Sequence, residues 1–254
     1  MGLLFVLSFS AAIFFLGMHR GYCADIAGGK ESVPHLRPYM AALFRGNSFQ
    51  CGGTLIRSNW VLTAAHCELK RGDEVVLGAH SLSNPREKGK QTFRIIQAFP
   101  HRNYNQETIA NDIMLLKLNK SATINQYVKT VRLPRTHKDV KARTQCLVAG
   151  WGATLQAKMS NTLRETHVTI LARGICTRHY NRGMVTTNNL CAAITKQRKG
   201  TCPGDSGGPL ICRGIQRGIT SFGPEGKCAV PGTADVYTRL TKGYLLWINN
   251  IIRE

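Results

Sequence analysis

Short runs of β-branched and aliphatic residues recur along the chain and alternate with polar segments that contain glycine. These runs lie at residues 54–56, 75–77, 113–118, 146–149, 167–171 and 219–222. Short apolar runs between turn residues are typical of β-strands, and the glycine punctuation suits an antiparallel barrel. No helical period is long enough for a β-α-β unit. The pattern therefore predicts an all-β fold.

Two segments outside these runs indicate how the domain is organised. Four apolar residues near the C-terminus are spaced as one helical face: Tyr244, Ile248, Ile251 and Ile252. This spacing predicts a closing α-helix that packs its apolar stripe against the barrel. The polar segment RLPRTHKDVKAR at 132–143 predicts an exposed connection. We place the junction between an earlier and a later half of the domain near it.

The N-terminus carries an apolar run, LLFVLSFSAAIFFL, at residues 3–16. It is too short to span a bilayer and lies where a secretory signal peptide has its hydrophobic part. We predict a signal peptide over residues 1–23. An uncleaved signal anchor is the alternative, because no Lys or Arg precedes the run and His19 and Arg20 follow it. No later segment predicts a membrane span.

Composition indicates the compartment in which the protein works and one class of partner. Nine Cys residues after such a leader indicate an oxidising destination, so disulfides are expected. The chain has 34 Lys and Arg against 14 Asp and Glu, a net charge of +20, which predicts contact with polyanions such as sulfated glycosaminoglycans. Solubility alone is the alternative. The basic residues are scattered without interleaved aromatics, so specific nucleic-acid binding is not expected.

Three residues form a candidate set for nucleophilic catalysis. Ser206 lies in GDSGGP, where glycines allow close backbone approach and could direct two amides at one developing oxyanion. A serine needs a base, and the base needs a group that holds its tautomer. His66 in LTAAHC and Asp112 before the run at 113–118 are the candidates. The alternatives are an incidental glycine turn and a residue that caps a strand.

The motifs TAAHC, NDIMLL and GDSGGPL occur in this order and resemble the chymotrypsin-like serine protease family over residues 26–254. The stretch PHLRPYMA at 34–41 is similar to the leukocyte-granule subgroup, which includes granzymes, mast-cell proteases, cathepsin G and neutrophil elastase. The resemblance implies a trypsin-like peptidase domain with two six-stranded antiparallel β-barrels and a C-terminal α-helix. Such enzymes use neither a cofactor nor a metal, and we expect none.

The resemblance also assigns roles to the candidate residues. Ser206 is the nucleophile, His66 is the general base and later acid, and Asp112 orients His66. The amides of Gly204 and Ser206 donate to the oxyanion. The mature chain begins at Ile26, so Ala24–Asp25 is an activation dipeptide.

Three covalent or ionic features follow from the same resemblance. The freed Ile26 ammonium is expected to pair with Asp205. The disulfide pairs implied are Cys51–Cys67, Cys146–Cys212, Cys176–Cys191 and Cys202–Cys228. Cys23 is left over, and cleavage of the signal peptide at or just after it would remove it. Separately, Asn119 begins an Asn-Lys-Ser acceptor for N-glycosylation.

Proteases of this family bind the substrate residue before the cleaved bond, called P1, in a specificity pocket. The residues of this sequence that match it are Gly200, Thr201, Pro203, Ser221, Phe222, Gly223 and Asp235. Gly200 puts no acid at the base, Gly223 leaves the entrance open, and Asp235 puts an acid in the wall. The expected P1 residues are basic, large and apolar, or both. The alternative is a shielded Asp235 with a medium apolar pocket.

The function expected from these residues is that of a serine endopeptidase that is secreted or stored in granules. It would hydrolyse protein substrates through an acyl-enzyme, and serpin-type inhibitors are possible partners. A catalytically silent, azurocidin-like antimicrobial or heparin-binding protein is the alternative. A haptoglobin-like partner module is a third. Both normally have broken triad motifs, whereas the three motifs here are intact.

Overall fold

A computed structural model describes residues 26, 28–156, 158–224 and 228–253. The predicted signal peptide, Cys23 and the dipeptide Ala24–Asp25 lie outside the described residues. No helix within the described ranges is long and apolar enough to cross a membrane.

The first half of the domain is a closed antiparallel barrel of six strands. A short strand, β1 (Lys30–Glu31), precedes it. The barrel strands are β2 (Met40–Arg45), β3 (Ser48–Arg57), β4 (Trp60–Thr63), β5 (Glu74–Leu77), β6 (Gln91–Pro100) and β7 (Met114–Leu118). They pair in the order β2-β3-β4-β7-β6-β5, and β5 closes the barrel on β2.

The second half is another six-stranded antiparallel barrel. Its strands are β8 (Gln145–Gly150), β9 (Arg164–Leu171), β10 (Asn189–Ala193), β11 (Pro209–Cys212), β12 (Ile215–Phe222) and β13 (Ala234–Arg239). They pair in the order β9-β10-β13-β12-β11-β8, and β8 pairs with β9 to close the barrel. β1 adds to the edge of β9. The predicted all-β class with two barrels is confirmed.

Each barrel encloses its own apolar cluster, and a third cluster joins them. Met40 of β2 packs there against Ala149 of β8 and the fully buried Trp151. The Trp151 indole donates to the carbonyl of His80 at 2.9 Å, which satisfies its only polar atom. This buried seam holds the barrels face to face, so residues from both can meet at its edge.

In the part of the chain that the structure describes, helices are few and, apart from the last, short. They are the 3₁₀ helices Ala65–Cys67 and Thr177–His179, α1 (Arg173–Cys176) and α2 (Lys242–Arg253). Tyr244 and Ile248 of α2 are buried in the cluster of the first barrel, with Ile251 and Ile252 packed beside them. The predicted apolar stripe thus brings the end of the chain back onto its first half.

Four disulfides brace the two barrels. The structure contains the pairs Cys51–Cys67, Cys146–Cys212, Cys176–Cys191 and Cys202–Cys228, with Cα atoms 4.3–6.3 Å apart. They are the pairs that the resemblance implied. Two of them lie beside candidate catalytic residues: Cys67 directly follows His66, and Cys202 lies shortly before Ser206. Closing a loop as short as that of Cys51–Cys67 stabilises the fold by about 3 kcal/mol in the chain-entropy model, because it restricts the unfolded chain.

Candidate active site

His66 and Asp112 form a pair held by two hydrogen bonds. His66 is the middle residue of the 3₁₀ helix Ala65–Cys67, just after β4. Its Nδ1 lies 2.8 Å from Asp112 Oδ2, and its backbone N–H donates to Oδ1 at 2.9 Å. The second bond fixes the main chain of His66 as well as its ring. This arrangement presents Nδ1 to the carboxylate and turns Nε2 away from it, the orientation that a general base requires.

Asp112 has no solvent exposure, and the second barrel supplies donors to it. Ser221 Oγ of β12 donates to Oδ2 at 2.5 Å, and Thr238 Oγ1 of β13 donates to the Asp112 carbonyl at 2.8 Å. Tyr244 of α2 contacts Asn111 Oδ1 at 2.9 Å. Buried carboxylates are costly unless they are paired and hydrogen-bonded. Asp112 meets that condition through groups from both barrels.

Two of these donors have roles that the sequence did not indicate. Ser221 was expected to line the substrate pocket, but its hydroxyl points to Asp112. Thr238 was not singled out, although its hydroxyl crosses 126 positions of sequence to reach the Asp112 carbonyl. Both look like ordinary residues of half-buried strands, so only the way β12 and β13 lie against the other barrel could have identified them.

Ser206 lies in a loop of the second barrel that presses against the first. Its carbonyl accepts from Gly52 N of β3 at 2.8 Å. Gly207 has φ +78°, and a Cβ there would stand 2.1 Å from Thr63 Oγ1, so only glycine fits. Thr63 is three residues before His66, and the glycine therefore lets the Ser206 loop approach the His66 turn closely.

The Ser206 hydroxyl is half-buried and free to react. Within the described ranges its Oγ makes no hydrogen bond, including none to His66 Nε2. Hydrogen bonds between catalytic groups are commonly long before substrate binds and tighten in the complex. The backbone N–H groups of Gly204 and Ser206 donate to no acceptor among the described residues. Gly204 has φ +94°, a left-handed conformation that suits the turn before the nucleophile.

Asp205, beside Ser206, is a buried carboxylate with donors but no cation. Oδ1 accepts from Gly152 N at 2.8 Å and Oδ2 from Cys202 N at 2.9 Å. No described cation contacts it, and burial raises the pKa of this carboxyl to about 7. A Cβ on Gly150 or Gly152 would approach Oδ1 to 2.2 or 2.5 Å. Asp205 is therefore tightly enclosed, and the described residues provide no counter-charge for it.

Ile26 is fully buried, and the residues after it run beside the loop that precedes Ser206. Gly28 has φ +65°, and a Cβ there would lie 2.6 Å from Gln197 O and 2.9 Å from Lys199 Cγ. The described contacts do not include one between Ile26 and Asp205. In the full chain the Ile26 nitrogen is an uncharged peptide amide, because Asp25 precedes it.

A cavity of about 760 Å³ opens beside Ser206. Four of the predicted pocket residues line it: Thr201, Pro203, Phe222 and Gly223. Its other lining residues are mainly apolar and include Leu155, Val230 and Pro231. Gly200, Ser221 and Asp235 do not line the cavity. A space of this size and polarity accommodates a large side chain.

Asp235 lies directly behind the wall of this cavity and is 1% exposed. Its Oδ2 accepts from Thr201 N at 2.6 Å, whereas Oδ1 has no hydrogen-bond partner. A Cβ on Gly200 would stand 2.7 Å from Oδ2, and one on Gly223 would stand 3.1 Å from Oδ1. Burial raises the pKa of Asp235 to about 7. Glycine at both positions leaves little but backbone between the carboxyl and the cavity.

Asn119, the predicted glycan acceptor, is exposed at the end of β7. Its Oδ1 accepts from Arg94 N at 3.1 Å, which holds the side chain against β6. Its Nδ2, the atom that a glycan would modify, has no partner among the described residues. Glycosylation of Asn119 stays a prediction.

Comparison with known proteins identifies the family of this site. The trypsin family model matches residues 26–248. Granzyme A of Bos taurus is 45% identical, over 99% of this chain and 98% of the bovine one. Mast cell protease 3 of Ovis aries is 39% identical, over 92% of each chain. Among solved structures, neuropsin, a serine protease of mouse brain, has a TM-score of 0.81 and 38% identity, and the match covers 88% of this chain and 98% of neuropsin. The chain therefore belongs to the trypsin family, among the leukocyte-granule chymotrypsin-like serine proteases.

Proposed function

We propose that this protein is a serine endopeptidase that cleaves proteins through an acyl-enzyme. The observation that carries the proposal is the pair of His66 and Asp112, which is joined by two hydrogen bonds. The loop that carries the Ser206 hydroxyl packs against the turn that carries His66. Family membership supports the same chemistry.

The reaction follows from the atoms that face the cleft. Ser206 Oγ attacks the carbonyl carbon of the peptide bond while His66 Nε2 takes the hydroxyl proton. Asp112 stabilises the imidazolium through Nδ1, and the Gly204 and Ser206 amides bind the oxygen that becomes negative. His66 then gives its proton to the leaving amine. Water, activated by the same histidine, attacks the ester and releases Ser206.

Active-site labelling tests the proposal and separates it from its alternatives. A fluorophosphonate should label wild-type protein at one site and should not label Ser206→Ala, which should fold normally. Turnover of peptide amides by Ser206→Ala should fall by several orders of magnitude. Retention of more than about a tenth of wild-type turnover would exclude Ser206 as the nucleophile. Wild-type protein that binds heparin but takes no label would be a silent binding protein.

We also propose that the chain is secreted through a signal peptide and stored in granules before release. The apolar N-terminal run and the four disulfides support an oxidising route. Maturation by removal of residues 1–25 would free the Ile26 amine, and the uncompensated Asp205 carboxylate supports this step. Serpin-type inhibitors would present a peptide segment to the same cleft.

For P1 we propose basic residues, large apolar residues, or both. The large apolar cavity beside Ser206 supports Phe, Tyr or Leu. The acid behind Gly223 supports Lys or Arg, because Oδ1 of Asp235 has no other partner. A peptide library varied at P1 would test this, and cleavage confined to medium-sized apolar residues would favour a shielded Asp235.

The proposed polyanion partner is a sulfated glycosaminoglycan, and one cluster of cations supports it. This basic face consists of Lys138, Arg217, Arg239 and Lys242. Arg217 donates to the Lys138 carbonyl, and burial together with nearby Arg239 lowers the Arg217 pKa. Asp139, 4.0 Å from Arg239, offsets part of this like charge, and a bound anion would offset more of it.

Heparin affinity chromatography tests the basic face against the dispersed charge of the whole protein. Lys242→Glu should elute at clearly lower salt than wild type. Lys88→Glu is the matched control, since Lys88 is exposed and lies on the loop between β5 and β6, which contains no residue of the basic face. Equal losses in the two variants would assign the binding to net charge alone.

A further inference from the structure

Asp235 lies behind the wall of the P1 cavity, and its two carboxylate oxygens differ in their hydrogen bonding. Oδ2 is held by the Thr201 amide at 2.6 Å, while Oδ1 is buried without any hydrogen-bond partner. Leaving a buried acceptor unpaired is costly, and the cost is greater when the group is charged. The free oxygen lies toward Gly223, a residue of the cavity wall. The carboxyl therefore has an unused acceptor next to the space that receives P1.

No cation among the described residues pairs with this carboxyl. Arg198 lines the same cavity, and its guanidinium donates to the Cys228 carbonyl at 3.5 Å. The titratable groups around it are the phenols of Tyr180 and Tyr237 and the carboxyl of Asp205. Tyr180 packs against Phe222 and donates its hydroxyl to the Ala234 carbonyl, and Tyr237 lies on β13 two residues from Asp235. Burial raises the pKa of both phenols, so they stay neutral. Asp205 contributes only negative charge.

Two kinds of partner can therefore stabilise the buried carboxyl of Asp235. One is a proton from solvent, which makes the carboxyl neutral and costs little to bury. The other is a cation that enters the cavity with the substrate and pairs with the carboxylate. Burial raises the pKa of Asp235 to about 7, so the first state prevails in mildly acidic solution and the second is accessible above neutrality.

We propose that a single proton on Asp235 selects the class of P1 side chain. The carboxylate form accepts Lys or Arg, and the carboxylic acid form accepts Phe, Tyr or Leu, with the proton exchanged with solvent. An arginine facing the neutral acid would be an unpaired buried cation, and a phenylalanine facing the carboxylate would seal off an unpaired anion. This inference rests on the proposed endopeptidase function and adds its regulation by pH.

The test is a competition between two peptide substrates that differ only in Arg or Phe at P1, followed from about pH 5.5 to about pH 8. Both substrates use the same Ser206 and His66, and both depend on Asp205, so these titrations cancel in the ratio of kcat/KM values. Because each form accepts one class of side chain, the Arg/Phe ratio follows the ratio of carboxylate to carboxylic acid and should rise about tenfold per pH unit across this range. Over the whole range it should change by at least about tenfold.

Two variants show whether Asp235 is the titrating group. Asp235→Asn keeps the shape and an oxygen that accepts from Thr201, but it cannot ionise. Its Arg/Phe ratio should be low and independent of pH. Asp139→Asn is the matched control, because Asp139 is a largely exposed acid paired with Arg173. It should reproduce the wild-type curve.

A second measurement needs no variant, in case Asp235→Asn fails to fold. Benzamidine, a permanently charged mimic of arginine, should inhibit wild-type protein at least tenfold more tightly at the alkaline end of the range than at the acidic end. A flat ratio and flat benzamidine inhibition, in protein that cleaves peptides, would overturn the inference and leave the endopeptidase function intact. Absence of both peptide cleavage and fluorophosphonate labelling would overturn the proposed function itself.

Discussion

Asp112 and Asp235 are both withdrawn from solvent, yet the protein surrounds them in opposite ways. Asp112 accepts two hydrogen bonds from His66 and one from Ser221, so each of its oxygens is occupied. Asp235 accepts a backbone bond from Thr201 on one oxygen and none on the other. Hydrogen bonds to the charged form favour ionisation, and burial without them opposes it. The first site is completed by the chain itself, and the second is left for a ligand or a proton.

Asp205 lies between these cases. Both of its oxygens accept backbone N–H groups, but no described cation is near, and its pKa is raised like that of Asp235. Asp205 therefore lacks only a counter-charge among the described residues. Asp235 lacks both a counter-charge and one hydrogen bond. We propose that the counter-charge of Asp205 is made by cleavage of the chain, whereas the counter-charge of Asp235 comes with the substrate.

The largest expected effect comes from breaking the completed site. Asp112→Asn should lower kcat by about 10⁴-fold, because its one amide oxygen would accept the His66 backbone N–H, and the NH₂ would then face Nδ1 and impose the tautomer with the proton on Nε2. Stopped assays with a peptide amide substrate would measure it, and circular dichroism would establish that the variant is folded. A loss below about tenfold would mean that Asp112 only supports the structure.

Much of this arrangement was predictable from the sequence, for identifiable reasons. The strand runs carry apolar residues because both barrel interiors and the seam between them exclude water, and Tyr244 and Ile248 repeat with the helical period of α2. α1 was not predicted, since four residues are too few to display a period. The donor Thr238 was not predicted either, because its contact with Asp112 depends on how β13 lies against the other barrel.

The next largest expected effect is on the active-site titre, and it comes from removal of the dipeptide before Ile26. This step tests whether Asp205 receives its counter-charge from the new N-terminus. Protein that retains Ala24–Asp25 should be nearly inactive, since the Ile26 nitrogen is then an uncharged amide and cannot neutralise Asp205. Removal of the dipeptide should raise the active-site titre by about a hundredfold or more, a gain that corresponds to roughly 3 kcal/mol. A dipeptidyl aminopeptidase would make the cut, and Asp205→Asn would serve as the variant that no longer responds. Equal titres before and after trimming would refute the pairing.

A smaller effect, on stability, follows from the raised pKa of Asp235. The folded state holds a proton that the unfolded chain, with a pKa of 3.8, has already lost, so wild-type stability falls as pH rises from about 4 to about 7. Asp235→Asn removes that fall. Its free energy of unfolding relative to wild type should increase by on the order of 2–4 kcal/mol between about pH 4 and about pH 8. Urea unfolding in a Ser206→Ala background, which prevents self-digestion, measures it, with Asp139→Asn expected to show no such increase. A pH-independent difference would mean that Asp235 does not titrate in this range.

The smallest expected effect separates the two donors that the second barrel sends to Asp112. Ser221→Ala removes a bond to the carboxylate, worth about 1.5–3 kcal/mol for a charged group, and lets Asp112 shift away from His66. We expect kcat to fall by about threefold to tenfold with little change in KM, since the loss concerns the imidazolium that forms only during reaction. Thr238→Val is the matched control, because it removes a bond to the Asp112 carbonyl and leaves the carboxylate partners in place. It should lower the free energy of unfolding by about 1 kcal/mol and leave kcat within about twofold of wild type. If the two variants lost the same activity, the hydroxyls would act only by holding the barrels together, and the distinction drawn for Ser221 would be wrong.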